Sequence, residues 1–134
     1  MNDRFDELAK VWLEKAANDL DWARDTLADN RFGGVCFLCQ QAAEKTLKAY
    51  LFFRKQKLIR THNLPLLNEK CKKFDPDFSQ LNNAVDTLNN YYVDTRYPDI
   101  WDYTRFENEK LANEAIKLAE QIVETVKNKL KISG

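Results

Sequence analysis

The chain has 134 residues, of which 44% are hydrophobic and 31% are charged, and its formal net charge is zero. It is long enough for one domain with a hydrophobic core, and it lacks the overall positive charge of a protein that coats nucleic acid. The chain contains only three glycines and three prolines, the residues that most favour turns. We therefore expect a few long elements in a single domain of residues 1–134.

Three cysteines, an odd number, and a charged N-terminus without a signal sequence predict a reducing compartment. No apolar run approaches about 18 residues, so we expect no membrane span. The sequence therefore predicts a cytoplasmic protein.

The first predicted helix begins after Asp3, a residue type that caps helices well, and continues to about Asp29. Apolar residues recur along it every three or four positions, at Phe5, Leu8, Trp12, Ala16, Leu20, Ala23 and Leu27. The segment Asn30–Gly34 contains two glycines and predicts a tight corner between helices.

The second predicted helix, Val35–Lys57, contains neither glycine nor proline. One of its faces carries Val35, Leu38, Ala42, Thr46, Ala49 and Phe53, and further apolar residues widen that face. A helix that is apolar over most of its circumference must lie at the centre of a protein or be shared with another chain. We expect this helix to be the centre of the fold, and its breadth favours a homodimer.

A short helix is predicted over Leu64–Phe74, with Thr61 or Asn63 as its cap. Asp75 and Pro76 then have the pattern of an N-cap followed by the first helical residue. The buried face of the helix that they open is predicted to carry Phe78, Leu81, Val85, Leu88 and Tyr92.

Pro98 forbids simple continuation of that helix. Thr104 and Glu107 have the spacing of a capping box and predict the start of the last helix. Its apolar residues are Leu111, Ala115, Leu118, Ile122, Val126 and Leu130. The elements together predict an all-α fold, an up-and-down bundle of four long helices plus one short helix.

No acidic residue occurs between Lys45 and Asn68, although seven Lys, Arg or His residues lie there. On the second helix, Gln41, Lys45 and Lys48 share one side and are candidates to bind a phosphate in a groove. The alternative is a solvated face, in which Glu44 and Lys48 form an ordinary exposed ion pair.

Two cysteines, Cys36 and Cys39, form a C-x-x-C pattern inside the second helix. Zinc would need two further ligands, and His62 and Cys71 do not supply a familiar spacing. We interpret the two cysteines as small buried residues. The sequence predicts neither a metal nor a cofactor.

His62 is the only histidine in the chain. An imidazole can act as a general acid or base near neutral pH. It can also bond the end of a helix, and we favour that structural role because His62 directly precedes the short helix.

Arg96 lies in the segment TRYPDIWDY, residues 95–103. A guanidinium fork suits a phosphate, and neighbouring aromatic rings can stack on a base. The neighbouring rings are Tyr97, Trp101 and Tyr103. The alternative is that Arg96 pairs with Asp99 or Asp102 and that the rings cover the end of the bundle. The candidate ligand-binding set is Lys45, Lys48, Arg96, Tyr97, Asp99 and Tyr103.

Three separated motifs, FLCQQAAEKTLKAYL, THNL and YYVDTRYPD, together with KAANDLDWARDTL in the first helix, resemble the HEPN domain family. The resemblance covers nearly the whole chain. It implies a bundle of four to five helices that is usually dimeric through its long helices. It also implies a minimal nucleotidyltransferase as partner, often in a toxin–antitoxin pair, or else a metal-independent ribonuclease.

Ribonucleases of this family carry an Arg, four to six residues, a His, and sometimes a Tyr two positions later. Arg96 and Tyr103 match the Arg and the Tyr, but Trp101 occupies the position of the His and cannot titrate. By resemblance, Tyr103 matches a residue that partner nucleotidyltransferases modify with AMP. Catalysis would therefore need Arg96 with His62 from another segment.

Three hypotheses remain open. The first is a dimeric HEPN subunit that binds a nucleotide or an RNA phosphate and partners a minimal nucleotidyltransferase. The second is a divergent metal-independent ribonuclease that uses Arg96 and His62. The third is a non-catalytic structural dimer whose polar residues only face solvent.

Overall fold

The computed structural model describes residues 3–92 and 107–132, and within these ranges the chain forms helices and no strand. The elements are α1 (Arg4–Ala28), α2 (Phe32–Phe53), α3 (Leu64–Lys72), a 3-10 helix (Pro76–Leu81), α4 (Asn82–Asn89) and α5 (Glu109–Ile132). The predicted all-α bundle is confirmed. Among the described residues, no helix combines the length and the apolar character that crossing a membrane requires.

The side chain of Asp3 accepts a hydrogen bond of 2.9 Å from the amide of Asp6 and so caps α1 as predicted. The helix ends at Ala28, and Asn30 just beyond it adopts φ 59°, a left-handed conformation that closes helices. The corner is shorter than predicted, because both glycines lie inside α2. A Cβ on Gly34 would lie 3.4 Å from Thr26 Cγ2, an ordinary van der Waals distance, so α1 and α2 are in close contact at this position.

The central position of α2 is confirmed, since α2 packs against α1, α3, α4 and α5. One cluster of buried apolar residues joins all five α-helices and the 3-10 helix. The helix ends at Phe53, earlier than predicted, because Lys55 turns to φ 64°. The amides of Lys55 and Gln56 then bond the carbonyls of Phe52 and Leu51 at 2.8 and 2.9 Å, the pattern of a Schellman motif.

Asn63 caps α3, and its side chain accepts a hydrogen bond from the amide of Leu66. Asp75 caps the next element as predicted. The predicted fourth long helix, however, is divided into a 3-10 helix and the eight-residue α4. The division lies at Leu81, whose φ of −93° and ψ of 0° are outside the α-helical region.

The predicted capping box at the start of the last helix is wrong. The helix begins at Glu109, and the side chain of Asn108 accepts a hydrogen bond of 3.0 Å from the amide of Leu111. Glu107 instead reaches the start of α2, where its carboxylate accepts hydrogen bonds from two amides. Thr104 lies outside the described residues.

Candidate functional site at the Glu44 cluster

Among the candidate site residues, Lys45, Lys48 and His62 are described. The remaining candidates, Arg96, Tyr97, Asp99 and Tyr103, lie outside the described residues, as does Trp101. Tyr92 is the last described residue before them, and its ring stacks on the ring of His62 with centroids 4.3 Å apart and planes inclined by 17°.

Glu44 and Lys48 form a buried ion pair. Each residue is only 6% exposed, and the Lys48 ammonium lies 3.0 Å from Glu44 Oε2. The interpretation of these residues as an exposed surface pair is therefore wrong. Lys48 Nζ also lies 5.8 Å from the ring centroid of Trp12 on α1, so the aromatic face contributes to holding the charge.

His62 bonds Glu44 rather than a helix end. Its Nδ1 lies 2.8 Å from Glu44 Oε1, and its side chain is 52% exposed. A carboxylate can only accept hydrogen bonds, so Nδ1 must carry the proton in this contact. Within the described residues Nε2 has no hydrogen-bond partner, and whenever the ring is neutral this nitrogen carries the lone pair.

Gln40 completes the arrangement and is fully buried. Its amide nitrogen lies 3.4 Å from Glu44 Oε1 and 3.3 Å from the carbonyl of His62, while its oxygen accepts a hydrogen bond of 2.7 Å from Gln41. We call Gln40, Glu44, Lys48 and His62 the Glu44 cluster. Sequence reasoning missed Gln40, although it lies one helical turn before Glu44 and so shares its face.

Lys45 does not belong to this cluster, because its ammonium lies 2.6 Å from Asp19 Oδ2. The pair lies in a cavity of about 370 Å³ between α1 and α2. Its lining residues are Trp12, Lys15, Asn18, Asp19, Trp22 and Lys45. We call this cavity the α1–α2 groove. Trp22 is 66% exposed beside it.

The acid-free connector after α2 retains exposed cations. Lys55 forms ion pairs with Asp3 and Asp6 at 2.7 and 2.9 Å. Lys57 and Arg60 are exposed, and neither has a carboxylate partner in the part of the chain that the structure describes. They precede His62 by five and two residues, so the connector before His62 carries two exposed positive charges.

Cys36 and Cys39 are both fully buried, in agreement with their interpretation as small core residues. Burial raises the pKa of the Cys36 thiol to about 12, and it raises the pKa values of Cys39 and Cys71 as well. A thiol that stays protonated is a poor nucleophile and a poor metal ligand. Within residues 3–92 and 107–132, no group of three or more His, Cys, Asp or Glu residues could hold a metal ion.

The Glu44 cluster thus offers a proton acceptor, His62 Nε2, whose ring is held by a buried carboxylate and an aromatic stack. A family model, the HEPN domain, matches residues 9–129. The chain belongs to the HEPN domain family.

Two solved structures share the fold of this HEPN domain. Chain TT1696 from Thermus thermophilus is 32% identical with a TM-score of 0.76, and the match covers 90% of this chain and 97% of that one. ST0689, described as an archaeal HEPN homologue, is 28% identical with a TM-score of 0.73 and coverage of 91% and 97%.

Two curated proteins are also similar to this HEPN domain. Human sacsin is 29% identical over 109 residues, which are 79% of this chain but 2% of sacsin. "Putative toxin MJ1304" of Methanocaldococcus jannaschii is 25% identical over 134 residues, covering 92% of this chain and 88% of that protein. The chain therefore corresponds to a small part of the first relative and to most of the second.

Proposed function

We propose that this chain is a cytoplasmic HEPN subunit that forms a homodimer and binds a nucleotide or an RNA phosphate. We further propose that it partners a minimal nucleotidyltransferase as one half of a toxin–antitoxin pair. The partner follows from the family resemblance, and similarity to MJ1304, a protein with toxin in its name, supports the toxin–antitoxin role.

The observation that carries the phosphate site is the stack of His62 on Tyr92. This stack connects two segments. His62 ends the connector that contains Lys57 and Arg60, and Tyr92 precedes the segment that contains Arg96. Arg96 follows Tyr92 by four positions, and we propose that it binds the same phosphate as Lys57 and Arg60. Guanidinium and ammonium groups without carboxylate partners are the groups that bind phosphate most readily.

Lys45 and Lys48 remain in the proposed ligand-binding set, together with Tyr97, Asp99 and Tyr103. A phosphate at either lysine must compete with Asp19 or with Glu44 for the ammonium. We therefore expect Arg96 to contribute more to binding than either lysine does.

Titration of ATP and of a short RNA against the wild-type protein and Arg96→Ala tests the site. Loss of charge-assisted hydrogen bonds should weaken binding roughly 10- to 100-fold, about 1.5–3 kcal/mol. Arg4→Ala is the matched control, since Arg4 is exposed at the start of α1. Negligible binding by all three proteins would refute the phosphate site and leave the non-catalytic structural dimer.

Co-expression tests the proposed partner. If the neighbouring reading frame encodes a small nucleotidyltransferase, the two chains should purify together on a tag carried by only one of them. Intact-mass measurement of the HEPN chain then reports whether Tyr103 has gained AMP, with Tyr103→Phe as control. Failure of the two chains to copurify would contradict the partnership.

For the homodimer we propose the α1–α2 groove as the contact surface and a second copy of this chain as its occupant. The groove contains Lys15 beside the Lys45–Asp19 ion pair, so in a symmetric dimer Lys15 of each copy can approach Asp19 of the other. An exposed Trp of the kind seen at Trp22 is a common anchor of protein interfaces.

A second candidate function is a metal-independent ribonuclease that uses Arg96 and His62. It is favoured by the contact between His62 Nδ1 and Glu44, because that contact leaves Nε2 available to accept a proton. If this function is correct, the wild-type protein should cleave RNA in the presence of EDTA, and His62→Ala should abolish the cleavage. Intact RNA after incubation with high concentrations of the wild-type protein would exclude it.

A further inference from the structure

We propose that Glu44 is a positioning residue that fixes the tautomer of His62, with Lys48 as the buried cation that holds the other oxygen of its carboxylate. This inference rests on the second candidate function, in which His62 moves a proton. It gives the Glu44 carboxylate, which lies in α2, a role in positioning His62. The family motif around Arg96 does not include Glu44.

The geometry around Glu44 supports this assignment. Its side chain is 8% exposed, and each of its oxygens has a separate partner. Oε2 binds the Lys48 ammonium at 3.0 Å and Oε1 binds His62 Nδ1 at 2.8 Å. Gln40 also approaches Oε1, at 3.4 Å. The carboxylate is therefore held from three sides and cannot turn away from the imidazole.

The consequence for His62 is a fixed tautomer. A neutral histidine side chain in water favours the form with its proton on Nε2, whereas this contact requires the proton on Nδ1. Nε2 then becomes the basic nitrogen. The His62 side chain that carries it is about half exposed. The stack on Tyr92 covers one face of the ring and holds the ring plane.

In RNA cleavage Nε2 would accept the proton of a ribose 2′-OH while the 2′-oxygen forms a bond to the adjacent phosphorus. The bond from phosphorus to the 5′-oxygen breaks, and the proton returns to that oxygen through one water molecule. The products are a 2′,3′-cyclic phosphate and a 5′-hydroxyl, with no net uptake of water. The Glu44 carboxylate stabilises the imidazolium that forms between the two proton transfers.

The test uses the fact that the chain contains a single histidine. Long-range proton–nitrogen correlation on the ¹⁵N-labelled protein, at a pH at which the ring is neutral, gives one set of imidazole signals. We expect the Nδ1–H form in the wild-type protein. Observation of the Nε2–H form there would overturn the proposal without any variant.

Two variants separate positioning from mere packing. In Glu44→Gln the Lys48 ammonium retains the amide oxygen, so the amide NH₂ donates into Nδ1 and the tautomer should invert to Nε2–H. In Lys48→Met the ion pair is lost, but the carboxylate still accepts from Nδ1, so the Nδ1–H form should persist. The same tautomer in both variants would contradict the assignment.

Cleavage assays add a second, independent result. If wild-type protein cleaves RNA, Glu44→Gln should lower kcat on the order of 10²- to 10⁴-fold with little change in KM, because the ring then presents a proton where the reaction needs a lone pair. Glu124→Gln, an exposed acid on α5, is the control. Undiminished cleavage by Glu44→Gln would overturn the proposal. Absence of cleavage by the wild-type protein would refute the ribonuclease function, while the tautomer measurement would still decide the role of Glu44.

Discussion

Glu107 Oε1 accepts a hydrogen bond of 3.0 Å from the amide of Gly33, a residue 74 positions earlier in the first turn of α2. The other oxygen accepts from the amide of Phe32 at 3.2 Å. Arg31, which precedes the helix, provides no side-chain cap. The start of α2 is thus capped by a residue that shortly precedes α5.

We expect Glu107→Gln to destabilise the fold by about 0.5–2 kcal/mol, because a carboxylate that binds helix amides and faces the positive end of the helix is lost. Glu124→Gln is the matched control, since Glu124 is an exposed acid within α5 and away from its first turn. Urea unfolding monitored by circular dichroism measures both. Equal midpoints for the two variants would show that the Glu107 cap is not a significant source of stability.

Lys48→Met should be strongly destabilising, by about 3–5 kcal/mol, because it leaves the buried Glu44 carboxylate without its cation. Lys45→Met, at a neighbouring position of the same helix, removes a more exposed ion pair with Asp19 and should lose less than about 1 kcal/mol. Thermal and urea unfolding of both variants give the comparison. A Lys48 variant as stable as the Lys45 variant would contradict the buried pair.

The thiols should be unreactive in the folded protein. Burial raises the pKa of Cys36 to about 12, and the pKa values of Cys39 and Cys71 are raised for the same reason. At pH 8 a thiol reagent should modify none of the three within minutes, and all three after denaturation. Rapid modification of a thiol in the native state would show that this part of the core opens.

Because the thiols are buried, the free energy of unfolding should also decrease at alkaline pH. The folded-state pKa values are raised above the unfolded value of 9.0, so the unfolded chain loses thiol protons first as pH rises. The resulting stabilisation is complete below pH 9.0 and decreases from there toward about pH 12 for Cys36. Cys36→Ala should show a shallower loss of stability over that range in urea titrations.

The contact between Lys129 and Asp75, at the start of the 3-10 helix, should make the stability of the fold depend on pH in acid. A hydrogen bond from Lys129, at 2.6 Å, is the main cause that lowers the pKa of Asp75 below 3.8. Stability from this contact is present above pH 3.8 and is lost as pH falls through the lower folded-state value. Lys129→Met should therefore raise the pH midpoint of acid unfolding, followed by circular dichroism. Lys127→Met, which changes an exposed lysine, should not.

Trp22→Ala tests the proposed dimer surface. The side chain is 66% exposed, so its loss should change the stability of the monomer by less than about 0.5 kcal/mol. As an interface anchor it should contribute about 2 kcal/mol, roughly a 30-fold change in the dimer dissociation constant. Light scattering over a dilution series measures this, with Leu66→Ala as an exposed control. A monomeric wild-type protein, or equal dissociation constants, would contradict the surface.

The sequence was sufficient wherever structure depends on neighbours along the chain. Asp3, Asn63 and Asp75 are caps because each bonds an amide two or three residues away, and such contacts are readable from residue type and order. The central position of α2 followed from its apolar circumference, since such a helix has no side to turn toward water. The family, too, was apparent from motifs in order, and the match over residues 9–129 confirmed it.

Contacts between distant segments could not be read in this way. The sequence allowed Glu44 and Lys48 to be a surface pair, and their burial depends on Trp12 and His62, which other elements bring to α2. Likewise Glu107 looked like a local cap of α5 and instead caps α2. By itself the sequence determined that the chain is helical and that α2 is central, because periodicity and caps act over a few residues. Only the tertiary structure decided which charges are buried together, because that depends on how the helices pack.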